Sequence, residues 1–140
     1  MVAFNKFHKF VEDLAEGVHN LGTNTLKVYL TAATPSASLD LIKTDLAEIS
    51  SANGYTSGGL TPTISASAHS SGTYKLVLAN VTFTASSGPI TPFQYAVLYN
   101  SSAASNNLIG WYDYGSSVTL QDGESLTVGF DPTNGVLTIA

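Results

Sequence analysis

Residues 93–99, FQYAVLY, and 108–112, LIGWY, decide how this chain folds. Neither run alternates polar with apolar residues. Tyr95–Tyr99 and Leu108–Tyr112 are apolar on both faces of an extended strand, and such strands lie inside a sheet with cover on each side. Six of the chain's fourteen aromatic residues fall in 93–115: Phe93, Tyr95, Tyr99, Trp111, Tyr112 and Tyr114. In a strand, Tyr112 and Tyr114 face one way while Trp111 and Asp113 face the other. Most of this cluster is therefore expected in a core, between two sheets or between a sheet and a helix. A protein interface and a sugar-stacking platform are the other uses open to Trp111, Tyr112 and Tyr114.

Outward from this stretch, strand signals recur about every ten residues. Thr25–Thr31 alternates Leu26, Val28 and Leu30 against Thr25, Lys27 and Tyr29. Further strands are expected at Thr61–Ser67, Thr73–Thr84, Ser117–Leu120, Ser125–Phe130 and Val136–Ile139. Ser71-Gly72, Ser87-Gly88-Pro89, Asp122-Gly123 and Asn134-Gly135 are turn formers between them. VTLQDGESLTV (118–128) predicts a tight hairpin with Asp122-Gly123 at its tip, and FDPTNGV (130–136) a second with Gly135 at a bulge. Residues 50–59, SSANGYTSGG, read as a loop, and 35–48 has no clean period.

The N-terminus differs. Phe7, Phe10, Val11, Leu14, Val18 and Leu21 recur at helical spacing, which predicts an amphipathic helix over about 5–21 with Asn5 as N-cap and Gly22 as its stop. Gly17 weakens its interior by about 1 kcal/mol relative to alanine. No linker, repeat or shift of composition divides residues 1–140, which predicts one domain. The class is mainly β.

Composition narrows function. Only 11% of residues are charged, against about 25% in typical soluble proteins. Serine and threonine supply the polar surface with 17 and 16 residues, and they suit strands and turns. Net charge is −5, arginine is absent, and the five lysines are scattered, which argues against a nucleic-acid partner. The absence of cysteine excludes disulfides and thiolate zinc sites and fits assembly in a reducing cytoplasm. No run approaches a membrane span, and charges stand where a signal peptide carries its apolar core. Asn80-Val-Thr and Asn100-Ser-Ser match glycosylation sequons, but without a secretion signal no glycosylation is expected.

No phosphate loop, dinucleotide fingerprint or nucleophile elbow is present. His8, Glu12, Glu16 and His19 share one helix face, and Glu16-Gly-Val-His19 has the Glu-x-x-His spacing of di-iron bundles. Such bundles need a second motif and four helices, so a solvated face is expected. His69 lies among serines near a turn and is expected at the surface. Asp113, Asp122, Glu124 and Asp131 carry no mark of a carboxylate pair or a calcium loop. No catalytic residue, cofactor or metal is expected.

FNKFHKFVEDLAEGVHNLG, LKVYLT, AEISSANGYTSGG, YKLVLANVTFTASSGPITPFQYAVLYN, LIGWYDYGSSVTLQDGESLTVGF and GVLTIA together resemble the capsid cement, or decoration, proteins of tailed phages. The likeness runs nearly end to end and rests on glycines and apolar blocks. It implies a jelly-roll-like antiparallel β-sandwich that forms a homodimer on the outer capsid surface and bridges subunits of the major capsid protein. It implies backbone roles for Gly54, Gly58, Gly59, Gly110 and Gly115 and transfers no catalytic residue. Contact surfaces are sought at Phe4 and Phe7 of the N-terminal arm, at Trp111, Tyr112 and Tyr114, and at an edge strand, for which Thr61–Ser67 is the candidate. The alternatives are a carbohydrate-binding module built on Trp111, Tyr112 and Tyr114, and a hydrolase using His69 or Asp122 with Glu124.

Overall fold

The computed structural model describes residues 2–140. In chain order the elements are β1 (Phe4–Lys6), α1 (His8–Ala15), β2 (Leu26–Thr31), a 3-10 turn (Lys43–Asp45), β3 (Ile64–Ser70), β4 (Thr73–Leu78), β5 (Val81–Thr84), β6 (Phe93–Asn100), β7 (Leu108–Val118), β8 (Ser125–Val128) and β9 (Leu137–Ile139). The strands form a four-stranded sheet β1-β7-β6-β2, a three-stranded sheet β3-β4-β9 and a ribbon β5-β8. Every pairing is antiparallel.

The main core lies between the large sheet and the two smaller ones. Leu26, Val28, Leu30, Phe93, Ala96, Leu98, Ile109 and Tyr112 meet Leu76, Leu78, Val81, Phe83, Val128 and Phe130 there. This is a mainly β, antiparallel, sandwich-like architecture. The opposite face of the large sheet holds a second core of Phe7, Tyr29, Leu46, Val97, Tyr99 and Leu108. β6 is therefore covered on both sides, as its unbroken apolar run predicts. Its second cover is neither a sheet nor the helix but residues 33–60, the stretch without a period. Its backbone is tied down strand-like: Ile49 N–H donates to the Leu30 carbonyl at 3.1 Å, and Val28 and Leu60 exchange bonds of 2.8 and 2.9 Å. The Tyr29 hydroxyl donates to the Leu46 carbonyl at 2.9 Å, and Thr31 Oγ1 donates to the Ala47 carbonyl.

Bulges set which side chain faces which core. Leu98 pairs with Gly110 but Tyr99 pairs with Leu108, so Ile109 is an extra residue in β7. The extra residue reverses the alternation. Leu108 and Trp111 then face the second core, while Ile109 and Tyr112 face the main one. A second irregularity between Phe93 and Tyr95 lets Phe93 share the main core with Ala96 and Leu98.

The helix is shorter than its hydrophobic pattern predicts. Residues 4–6 pair with β7, and Phe7 remains extended at φ −75° and ψ 146° while its N–H donates to the Ile109 carbonyl. Phe7, not Asn5, is the N-cap. At the other end Gly17 adopts φ +83°, with Val18 N–H on the Asp13 carbonyl at 2.8 Å and Gly17 N–H on the Leu14 carbonyl at 3.4 Å. That is a Schellman stop, so Gly17 ends the helix and Gly22 lies beyond it. Val11 and Val18 are exposed rather than on a common apolar face.

Both predicted hairpins near the C-terminus are corners instead. β7 ends against β6, with Val118 opposite Phe93, whereas β8 pairs with β5. The Asp122-Gly123 turn thus carries the chain from one sheet to another. Asn134-Gly135 does the same between β8 and β9, which pairs with β4. The Thr73–Thr84 run is broken into β4 and β5 at Ala79-Asn80, where Asn80 Oδ1 accepts the Phe130 N–H at 2.8 Å. Ser71-Gly72 does make a two-residue hairpin, with φ of +50° and +83°, joining β3 to β4.

Candidate functional site

The five candidate contact residues divide between the faces of β7. Phe4 stands opposite Tyr112 in the β1–β7 pair, with their rings 5.3 Å apart. Phe7 has no exposed surface, and its ring lies 4.6 Å from that of Trp111. Tyr112 belongs to the main core and meets Phe130 at 5.9 Å. Tyr114 packs half-buried against the same core, and burial holds both phenols above the usual tyrosine range. Phe7 and Tyr112 are core residues of this chain, which corrects their reading as contact surface. Phe4, Trp111 and Tyr114 retain partial exposure. Trp111 cannot form one platform with Tyr112 and Tyr114, because the strand pleat sets them on opposite faces.

Glycines frame this region. A Cβ on Gly110 would lie 2.2 Å from Phe4 Cζ, so the absent side chain is what lets Phe4 cross β7. A Cβ on Gly59 would lie 1.7 Å from the Val28 carbonyl oxygen, and Gly59 has φ +76°.

The surface holds an apolar groove of about 490 Å³ between α1 and β9, lined by Phe4, Phe10, Val11, Leu14, Leu137 and Ile139. Along β3 the side chains of Ser65, Ala66, Ala68, His69 and Ser70 are exposed. β3 is an edge strand, in agreement with the choice of the Thr61–Ser67 region.

The titratable groups serve the fold. His69 is exposed, as expected. His19 is not on a solvated face: it is 5% exposed, with Nδ1 3.0 Å from Asn100 Nδ2 and Nε2 buried without a partner. Burial lowers its affinity for a proton, partly offset by the Asp13 carboxylate. Asp13, also buried, accepts from Asn107 Nδ2 at 2.9 Å and pairs with Lys9 at 3.0 Å. Asp122 Oδ1 takes the Ser87 N–H and Glu124 Oε2 the Gln121 N–H, so each carboxylate ties a turn and they do not converge. Asp131 likewise accepts from the Thr133 and Asn134 amides.

Glu48 is the group that sequence reasoning missed. Its Oε1 accepts from the Tyr55 hydroxyl and the Gly58 N–H, both at 2.6 Å; its Oε2 accepts from Lys43 Nζ at 2.5 Å and Ser57 Oγ at 3.0 Å. Burial works against its charge, yet these donors together hold its carboxyl below the usual glutamate range. Lys43 Nζ also lies 4.8 Å from the Tyr29 ring centre. The only sequence signal was a Lys–Glu pair in a charge-poor chain beside a loop with a single aromatic, Tyr55.

Among the described residues no cluster of three or more histidine, cysteine or acidic side chains is placed to hold a metal ion. Nor is any helix among the described residues long and apolar enough to cross a membrane. Comparison with family models, curated proteins and solved structures finds no match to this chain.

Proposed function

We propose that this chain is a virion structural protein, a capsid cement or decoration protein. It binds the outer surface of a tailed-phage head, bridges neighbouring major capsid protein subunits and works as a homodimer without a cofactor. It is made in the bacterial host cytoplasm and acts on the shell. The observation that carries the reading is the near full-length resemblance in glycines and apolar blocks. Three of those glycines, Gly54, Gly59 and Gly110, stand where a Cβ would come within 2.4 Å of a neighbouring atom, so the pattern marks geometry the fold requires.

The topology supports the jelly-roll-like form of the reading. β6–β7 pairing lies inside β5–β8, which lies inside β4–β9. Nested antiparallel pairs of this kind arise when one long hairpin rolls over onto itself. The non-enzymatic part draws support from the acids, since Asp13, Glu48, Asp122, Glu124 and Asp131 each spend their oxygens on structural donors. A glycan-binding reading gains nothing from the aromatic residues, which face two different cores.

The test is co-sedimentation of the purified protein with phage heads that lack their decoration protein, followed by imaging. Saturable binding to the outer face at a fixed ratio to the capsid protein is expected. Absence of binding to both expanded and unexpanded heads overturns the reading.

A further inference from the structure

In the large sheet the outer sides of the long strands β2 and β7 are covered. β2 is sealed by the paired Val28–Leu60 bonds, by Ile49 N–H on the Leu30 carbonyl and by the Tyr55 hydroxyl on the Leu30 N–H at 3.1 Å. β7 is sealed by β1, by Phe7 N–H on the Ile109 carbonyl and by Leu108 N–H on the Leu41 carbonyl. β3 is treated differently. Among the described residues, no backbone group of its free edge finds a partner outside β4. It is also the longest edge strand, seven residues against six for the covered β2, four each for β5 and β8, and three each for β1 and β9.

Register shows which groups are free. The two-residue turn makes Ser70 and Thr73 a hydrogen-bonded pair, and alternation gives Ala68 with Lys75 and Ala66 with Val77 the same status. The N–H and C=O of Ser67 and His69 therefore point away from β4, into open space. Proteins blunt such edges with lysine, proline, inward charges or a covering loop. ISASAHS (64–70) has none of these; its one irregularity is the bulge between Ile64 and Ala66 at its start.

We infer that the free edge of β3 is a self-docking surface, on which a second copy of this chain adds its own β3 antiparallel to make a continuous six-stranded sheet, β9-β4-β3-β3-β4-β9. Charge selects the occupant. In a two-fold antiparallel pair each residue meets itself or a near neighbour, so any lysine or acid on the strand would face its like. Ile64–Ser70 holds no Lys, Arg, Asp or Glu in a chain of net charge −5, so two copies that repel elsewhere meet here without that penalty. The nearest cation, Lys75 on β4, is turned to the Thr133 carbonyl at 2.7 Å. The Ser and Ala side chains are short enough to let a second strand approach at ladder spacing, and they lose little rotamer freedom. The proposed function calls for self-association, but the choice of surface rests on these hydrogen-bonding and charge arguments alone.

Sedimentation equilibrium on the wild-type protein, on His69→Pro and on Ala68→Lys tests this. His69→Pro removes an outward N–H without touching the β4 ladder, and Ala68→Lys sets like charges near each other across the pair. A wild-type dimer is expected, with its dissociation constant raised at least about tenfold in each variant while the thermal melt of the monomer is retained. Single cysteines at Ser65, Ser67 and His69, in a chain with none of its own, are expected to give a disulfide-linked dimer that peaks at one position. A monomeric wild type overturns the inference, as does a dimer that both variants leave unchanged. Head binding by a monomeric protein would keep the capsid reading and remove this one; a β3-linked dimer with no affinity for heads would do the reverse.

Discussion

The Tyr55 hydroxyl joins a loop to a strand: it donates to Glu48 Oε1 across 2.6 Å while it accepts the Leu30 N–H at 3.1 Å. One oxygen thus serves a part-buried carboxylate and an otherwise orphaned backbone donor of β2. Tyr55→Phe keeps the ring and deletes both bonds. It is expected to cost about 1–3 kcal/mol in urea unfolding, because the buried Leu30 N–H loses its only partner and Glu48 Oε1 is left with Gly58 N–H alone. Ser57→Ala, on the exposed side of the same carboxylate, is expected to cost no more than about 0.5 kcal/mol.

Glu48 also gives the fold an acid limit. Its proton affinity is lower when folded than when unfolded, so the unfolded chain binds the proton more readily. The stability this contributes is fully present above the unfolded glutamate value of about 4.3 and is lost as pH falls through the folded value. Glu48→Gln is expected to be less stable near neutral pH and to lose less stability on acidification. Denaturant midpoints between about pH 6 and about pH 3 check it; equal slopes for the two proteins would refute it.

His19 acts in a higher window. Burial depresses its folded pKa, and protonation would add an N–H at Nδ1, which now accepts from Asn100 Nδ2–H, while the Nε2 side stays buried without an acceptor. The facing acid is Asp13, already engaged by Lys9 and Asn107. Stability is therefore expected to decline as pH falls from about 6.5, the unfolded histidine value, through the folded one. His19→Gln should flatten the stability profile between about pH 7 and about pH 5 while leaving the Glu48 limb intact.

The glycines separate steric need from backbone need. Gly59→Ala is expected to abolish folding or cost more than about 3 kcal/mol, since the added carbon overlaps the Val28 carbonyl and φ is +76°. Gly115→Ala, at φ +83° with nothing within 4 Å, is expected to cost only about 1–2 kcal/mol. Melting temperatures of the two variants decide it.

Trp111, the only tryptophan, reports on the outer core through its 4.6 Å contact with Phe7. Phe7→Leu is expected to fold and to shift native Trp111 emission to longer wavelength as water reaches the ring. Phe7→Ala is expected to cost about 3–5 kcal/mol. Unchanged emission in Phe7→Leu would show that the contact does not shield Trp111.

Much of this architecture was legible from residue order because its causes are local. YAVLY announced a strand buried on both faces, and Ser71-Gly72 announced a turn, which positive φ at both positions makes a two-residue hairpin. The same logic misread Asp122-Gly123 and Asn134-Gly135. A turn former reports that the chain reverses or bends, not which strand receives it afterwards, and both turns hand the chain to a different sheet. It misread the helix because Phe4, Asn5 and Lys6 gain more from pairing with β7 than from extending α1. The Glu48 network was invisible, since its donors come from Lys43, Tyr55, Ser57 and Gly58 in a stretch with no period.

By itself the sequence determined the class, the central strands and the turn positions, since alternation, apolar runs and glycine conformation act over a few residues. Tertiary structure alone decided the nested pairing, the short helix, which core Leu108 and Ile109 each face, the burial of His19 and Asp13, and the network around Glu48. Those features depend on partners dozens of residues away, and on a single extra residue, Ile109, whose insertion turns every later side chain of its strand to the other face.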